Sequence, residues 1–235
     1  MCAMREKCLI ISGGEFCPIN DVPSGTFIIA CDRGYEYALR CGLTPDLVVG
    51  DFDSYSGGFA DGIPVDRYRV EKDDTDTMIA VRYAVDHGFK SVDLRCALGG
   101  RLDHLLANLQ SAVFAAEHGL EAEISDSRTF ISTMTPGVRR LPKKEGWSLS
   151  LFSITDHCVG LSIRGVKYPL DKALITNAFP IGVSNAWMRR KSSLKKAYFL
   201  SFSQNYRFAC GGPSTLKKSE KQYPQHKIYA ACLDQ

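Results

Sequence analysis

The run Leu47-Val48-Val49, followed at once by Gly50-Asp51-Phe52-Asp53-Ser54, constrains the fold more than any other stretch of this chain. β-Branched residues at two of its three positions predict a short buried strand, so Asp51 and Asp53 leave a strand's carboxyl end. In an open α/β sheet that is the edge where ligands bind. Carboxylates one residue apart in extended backbone face the same way, and they repel unless a cation lies between them. Mg²⁺, which takes oxygen ligands from carboxylates, phosphates and water, suits such a pair. Gly, Asp and Ser are also common turn residues, and taken alone the pentapeptide fits a plain turn equally well.

The same grammar recurs along the first half of the chain. Cys8-Leu9-Ile10-Ile11-Ser12 predicts a strand that runs into Gly13-Gly14, where a ligand can approach the backbone closely. Phe27 to Cys31 predicts a second strand, delivering Asp32-Arg33-Gly34. Asp32 is either another carboxylate of the edge or the N-cap of a helix from Tyr35 to Cys41. Val65 to Val70 predicts a strand that runs into Glu71-Lys72-Asp73-Asp74-Thr75-Asp76, which opens a helix from Thr77 to His87 with Met78, Val81 and Val85 on one face. These acids either complement the helix dipole or line a metal site, with Lys72 as the local counter-charge for a phosphate. Ser91 to Ala97 predicts a further strand, followed by Leu98-Gly99-Gly100-Arg101-Leu102-Asp103-His104. Arg101 offers a planar fork for phosphate oxygens, and Asp103 caps or opens a helix with the stripe Leu102, Leu105, Leu106, Leu109 and Val113. His104, a single histidine on that first turn, reads as a packing or capping residue before a general base. Strands alternating with helices predict a mainly parallel, Rossmann-like sheet. The three spaced glycines of a dinucleotide fingerprint and the Gly-Lys-Ser/Thr of a P-loop are both missing, so neither NAD nor Walker-type binding is expected.

Past Gly119 the pattern changes. β-Type runs at Glu121 to Asp126, Thr129 to Met134, Trp147 to Ile154, Val159 to Ile163 and Leu174 to Thr176 follow one another without intervening helices. That spacing predicts an antiparallel sandwich and three segments: an α/β domain over 1–120, an all-β domain over 121–202, and a basic, polar tail over 203–235 with little periodicity and expected poor order. The net charge of +3 conceals an acidic main body and a basic end beyond residue 188. The acidic main body lacks a basic helix or aromatic-basic interleaving, which argues against a nucleic-acid partner. No apolar run approaches the ~20 residues of a membrane span, and only a short apolar strand follows Met1 to Lys7, so no membrane partner and a cytoplasmic location are expected. Nine cysteines without any Cys-x-x-Cys spacing argue against a disulfide framework or a structural zinc site, and read as reduced thiols.

Taken together, Gly50-Asp51-Phe52-Asp53-Ser54, Lys72-Asp73-Asp74-Thr75-Asp76 and Gly99-Gly100-Arg101-Leu102-Asp103-His104, in this order and spacing, resemble the thiamine pyrophosphokinase (thiamine diphosphokinase) family. Cys31-Asp32-Arg33-Gly34 stands where that family usually has a small residue, Asp, Gly and Gly, so Arg33 is a departure. Gly165-Val166-Lys167-Tyr168-Pro169-Leu170 and Gly182-Val183-Ser184-Asn185 are similar to segments of the family's β domain, and the likeness fades beyond Trp187. The resemblance implies transfer of a diphosphoryl group from ATP to the thiamine hydroxyl, with AMP as the other product and Mg²⁺ as cofactor. It implies Asp51, Asp53 and Asp76 as metal ligands and, with Arg101 and Asp103, as the catalytic set. Asp32, Lys72, Thr75, Arg101 and Asp103 would meet ATP, and Ser184, Asn185 and Trp187 would meet thiamine in a site shared between subunits of a homodimer. Clustered aspartates also suit a metal-dependent phosphohydrolase, or a nucleotide- and metal-binding module without turnover.

Overall fold

The structure, a computed structural model, describes residues 6–51, 58–60, 62–67, 74–141, 146–187, 199–202 and 228–234. The chain divides into two compact units, Met1–Thr133 and Met134–Gln235.

The first unit runs β1 (Lys7–Ile11), β2 (Phe27–Cys31), α1 (Gly34–Arg40), β3 (Leu47–Gly50), β4 (Val65–Arg67), α2 (Asp76–Asp86), β5 (Ser91–Arg95), α3 (Leu102–Glu117), β6 (Glu121–Ser125) and β7 (Thr129–Met134). Within it the strand order is β7-β6-β5-β1-β2-β3-β4. Every pair is parallel except β6 with β7. The chain lays β2 to β4 on one side of β1 and then returns to place β5 on the other, so the order reverses between β1 and β5. Such a reversal opens a crevice at the carboxyl edge where α/β proteins seat their ligands. β1, β2 and β3 are buried along almost their whole length, as strands of a parallel sheet covered on both faces must be.

The helices cover that sheet with small residues, and here the predicted faces need correction. α2 buries Thr77, Ala80, Val81 and Ala84, so only Val81 of the predicted stripe is fully covered. α3 buries Asn108, Ser111, Ala112, Ala115 and Ala116, whereas Leu102 and Leu106 stand 69% and 52% exposed. Alanine lets a helix axis come close to its neighbour, and a leucine face would hold it off.

A second difference concerns the runs at 121–126 and 129–134, which the sequence groups with the β domain. In the structure β6 is delivered by α3 as a parallel neighbour of β5, with Leu94 opposite Ile124, and β7 folds back on it. A strand that follows a helix continues the crossover pattern; only the short link after it looks antiparallel.

The second unit contains β8 (Gly137–Arg140), β9 (Trp147–Ser153), β10 (His157–Ile163), β11 (Leu170–Thr176), β12 (Asn185–Ala186), β13 (Phe199–Phe202) and β14 (Ile228–Asp234). They form the antiparallel arrays β12-β9-β14 and β11-β10-β13-β8. Leu149, Leu151, Cys158, Leu161, Ile163, Val166, Ile175 and Trp187 are among its buried apolar residues. The α/β unit followed by antiparallel sheets is the fold class the sequence predicts. Of the tail, 203–227 lies outside the described residues, while Ile228–Asp234 pairs with β9, from Ile228 opposite Ser153 to Asp234 opposite Trp147. The basic, polar average of 203–235 hides this short apolar run, and the backbone pairing that makes it a strand is non-local. Among the described residues no helix is long and apolar enough to cross a membrane.

Candidate active site

Backbone constraints shape the carboxyl edge of the first unit before any functional side chain is considered. Gly14 donates its N–H to the Cys96 carbonyl at 2.8 Å, and its own carbonyl accepts from the Tyr37 hydroxyl at 3.1 Å. A Cβ on Gly14 would lie 2.6 Å from the Cys96 oxygen and 2.9 Å from that of Leu98. A Cβ on Gly34 would fall on the Ile11 carbonyl, which belongs to β1 and cannot move aside. Gly99, at φ +71°, leaves the space that the Glu15 side chain fills. The loops after β1, β2 and β5 are thereby locked together around the switch point.

Asp32 ends β2 with φ 48°, a left-handed conformation that Asp tolerates better than most residues. Its N–H donates to the Val49 carbonyl at 2.9 Å, and its carboxylate occupies the place a Cβ on Gly50 would take. Gly50 therefore brings the Asp32 carboxylate directly against the strand end that carries Asp51, which is half-buried. The start of α2 joins the same edge. Thr75 is its N-cap, with Oγ1 accepting from the Met78 N–H at 3.2 Å. The Thr77 hydroxyl meets that of Ser12 at 2.9 Å, and Cys31 Sγ donates to the Asp76 carbonyl at 3.6 Å. Asp76 is half-buried there. Asp53 and Lys72 lie outside the described residues. Asp51 and Asp76 offer hard carboxylate oxygens of the kind Mg²⁺ takes. Among the described residues no group of three metal-binding side chains is assembled.

Arg101 and Asp103 open α3 as a bidentate pair, with Nε 3.1 Å from Oδ1 and Nη2 2.6 Å from Oδ2. The bond to Arg101 holds the Asp103 carboxyl below the usual carboxylate range, and Asp103 in turn raises the guanidinium. Asp103 Oδ1 also accepts from the His104 N–H at 3.0 Å, so the carboxylate orients the Arg101 fork from a fixed point on the helix. Asn108, one turn further, donates from Nδ2 to the Ala97 carbonyl at 2.8 Å and is buried. It ties the loop carrying Gly99-Gly100-Arg101 to the helix. Asn108, Tyr37 and Glu15 are positioning residues that the sequence does not single out, because each acts through a partner distant in the chain.

The departure at Arg33 is sterically easy. Its φ and ψ of −55° and −21° lie in the right-handed region that any residue adopts, and its side chain is exposed.

In the second unit Asn185 is only 4% exposed, and both ends of its amide are committed to the Tyr168 backbone. Its Oδ1 accepts from the Tyr168 N–H at 3.0 Å, and its Nδ2 donates to the Tyr168 carbonyl at 2.7 Å. Trp187 is 9% exposed and its backbone bridges Val166. Ser184 is exposed, at φ 56°, with its N–H donating to Ser150 Oγ at 2.9 Å. The structure thus gathers the end of β2, Gly50-Asp51 and the start of α2 at one edge, with the opening of α3 held to the loop after β5. Ser184, Asn185 and Trp187 form a separate segment of the other unit.

An α/β sheet with carboxylates and an arginine fork at strand and helix ends, joined to an antiparallel β unit, suits a class of proteins that handle phosphate-bearing ligands rather than a dinucleotide-binding one. The comparisons narrow this class. The thiamin pyrophosphokinase catalytic domain matches residues 22–124, and the thiamin pyrophosphokinase vitamin B1 binding domain matches residues 139–195. The chain is 26% identical to thiamine pyrophosphokinase of Bacillus subtilis over 201 residues, 80% of this chain and 92% of that protein. The crystal structure of thiamine pyrophosphokinase from Bacillus subtilis superposes with a TM-score of 0.79 at 21% identity, covering 97% of this chain and 99% of that one. The corresponding enzyme from Geobacillus thermodenitrificans gives 0.75 at 22% identity, covering 97% and 98%. Yeast thiamin pyrophosphokinase gives 0.67 at 12% identity, covering 97% and 86%. The chain belongs to the thiamine pyrophosphokinase family.

Proposed function

We infer that this protein transfers the diphosphoryl group of ATP to the hydroxyl of thiamine, releasing AMP and thiamine diphosphate. The observation that carries this reading is the presence in one chain of both halves of the family, the catalytic domain over 22–124 and the B1-binding domain over 139–195. Phosphoryl chemistry depends on positioning and charge neutralisation more than on covalent help from the protein, and the residues of the first unit are suited to both. Asp51, Asp53 and Asp76 would hold Mg²⁺, which when bound neutralises phosphate oxygens. Arg101 and Lys72 would neutralise the charge that develops as the thiamine oxygen attacks the β-phosphorus and AMP departs. Asp103 keeps the Arg101 fork aimed. Asp32 and Thr75 complete the nucleotide's surroundings.

The first unit is the ATP-using part and the second the thiamine-binding and dimerising part, with Ser184, Asn185 and Trp187 in the segment that serves thiamine. In a homodimer, that segment of one chain would complete the site of the other. Light scattering at assay concentration checks this: a monomer there removes the shared site. We place the protein in the cytoplasm.

Incubation with ATP, Mg²⁺ and thiamine tests the central reading. AMP formed only when thiamine is present supports it. Phosphate formed without thiamine indicates a hydrolase, and ATP binding without turnover indicates a module; either result overturns it.

A further inference from the structure

One cysteine pair bridges the switch point of the sheet and has no part in the chemistry above. Cys17 follows the Gly13-Gly14 loop after β1, and Cys96 is the first residue after β5, the strand beside β1. Their sulfurs lie 3.7 Å apart. The Cys17 N–H donates to Cys96 Sγ at 3.4 Å, and the Cys96 thiol reaches the Cys17 carbonyl at 3.6 Å. Both are buried, at 6% and 1% exposure, in a cluster with Leu9, Ile11, Tyr37 and Ala38. Cysteines in such a cluster often act only as small apolar residues. Three features set these apart. The sulfurs face each other across the two loops that flank the ligand crevice. Cys96 sits at φ 51°, a conformation unfavourable for its side chain. And the Cys96 carbonyl is the anchor of the Gly14 N–H, while Tyr37 of the same cluster holds the Gly14 carbonyl.

We propose that Cys17 and Cys96 are a thiol–disulfide modification site, closed by a hydroperoxide oxidant, and that closing it weakens ATP use by displacing the Gly14 and Gly99 loops. The effect on ATP rests on the function proposed above; the disulfide itself does not. The chemistry balances with hydrogen peroxide as oxidant. The Cys17 thiolate attacks one peroxide oxygen, the O–O bond breaks, and the departing hydroxide takes a proton to become water. Cys96, losing its proton, then attacks the sulfenic sulfur of Cys17. The S–O bond breaks, a second water leaves, and two thiols plus one peroxide have become one disulfide and two waters. Cys17 is the group suited to attack first. The hydrogen bond between the two thiols lowers Cys17 against burial, aided by the charge of Arg95, and together with burial raises Cys96. A disulfide requires the sulfurs to approach to about 2.05 Å, well inside their present 3.7 Å. One or both residues must therefore shift, and Cys96 carries both the Gly14 anchor and the chain leading to Arg101.

The test uses the full chain, reduced, freed of reductant and treated with hydrogen peroxide. It is then alkylated under denaturing conditions and digested without reduction. A peptide joining Cys17 to Cys96, two hydrogens lighter than its parts and absent after dithiothreitol, is expected. Oxidised protein should show a severalfold higher KM for ATP, restored by dithiothreitol, with a smaller change for thiamine. Cys17→Ser, and Cys17→Ala as a second variant should the first fold poorly, should neither cross-link nor change on oxidation. Failure to find the linked peptide overturns the site. A linked peptide with unchanged kinetics, or equal inactivation in both Cys17 variants, overturns its effect on ATP use. Absence of thiamine-dependent turnover in reduced protein defeats the functional reading instead, and the peptide still decides the disulfide.

Discussion

The two segments that match family motifs use their polar side chains in opposite ways. At the carboxyl edge of the first unit, glycines fix the backbone: Gly34 lies against Ile11, Gly50 against Asp32 and Gly99 against Glu15. With the loops held by main chain, Asp51 and Asp76 remain half-buried and Arg101 exposed. In the second unit the polar side chain does the fixing, since the Asn185 amide holds both the N–H and the carbonyl of Tyr168. Ser184 beside it is exposed. A motif match therefore marks charged side chains at a glycine-fixed edge in the first case and, in the second, a brace with its neighbour turned outward. Each variant below breaks or sharpens this contrast.

The largest expected effect belongs to the aspartates. Asp51→Asn and Asp53→Asn should each lower turnover by orders of magnitude while leaving the melting temperature nearly unchanged, because an amide has nearly the shape of the carboxylate but is a poor Mg²⁺ ligand. Kinetics alongside thermal melts at varied Mg²⁺ check this, and near-normal activity in both would remove them from the metal site. Arg101→Lys comes next. A point charge cannot reproduce the fork that Asp103 aims, so kcat/KM for ATP should fall by about an order of magnitude. Wild-type kinetics in that variant would leave the fork without a role in transfer.

Asn185→Ala puts the other side of the contrast at risk. It removes two buried hydrogen bonds and leaves the Tyr168 peptide without them, a loss of about 2 kcal/mol at roughly 1 kcal/mol each. The melting temperature should drop clearly, and the KM for thiamine should rise more than that for ATP because the brace positions Ser184. Ser184→Ala should raise the thiamine KM without the loss of stability. If Ser184→Ala is silent while folded Asn185→Ala still loses thiamine selectively, the amide itself meets the ligand and the contrast fails.

Which of these features the sequence shows depends on how local their cause is. The strand ends with their Gly and Asp residues are legible at 13–14, 32–34, 50–51 and 99–103, because a short β-branched run and a glycine carry their own conformational reasons. Helix faces are less so: size singled out Leu102 and Leu106, whereas the close approach of α3 to its neighbours selected Ala112, Ala115 and Ala116. β6 and β14 were misgrouped for the same reason, since the partners β5 and β9 that define them come from elsewhere in the chain. The bracing role of Asn185 was equally hidden, because its partner Tyr168 lies far back in the sequence.

The smallest expected effect lies at Arg33, where the chain departs from the family's usual glycine. Its backbone is right-handed, so glycine is not needed there, unlike Gly34, where a Cβ would strike the Ile11 carbonyl. The Arg33 Cβ lies 3.6 Å from where a Cβ on Gly13 would stand, which puts an exposed cation beside the first glycine loop. An exposed guanidinium near a polyphosphate attracts it through solvent, and salt weakens that attraction. Arg33→Ala should therefore raise the KM for ATP a fewfold at low ionic strength, less at high ionic strength, with kcat unchanged. Arg33→Gly should show the same KM shift plus a stability loss of roughly 0.5–1 kcal/mol from the freer unfolded chain. The two variants separate the charge from the backbone. A KM for ATP that is the same in both variants and the parent, at every salt concentration, would make Arg33 a solvated surface residue with no part in ATP binding.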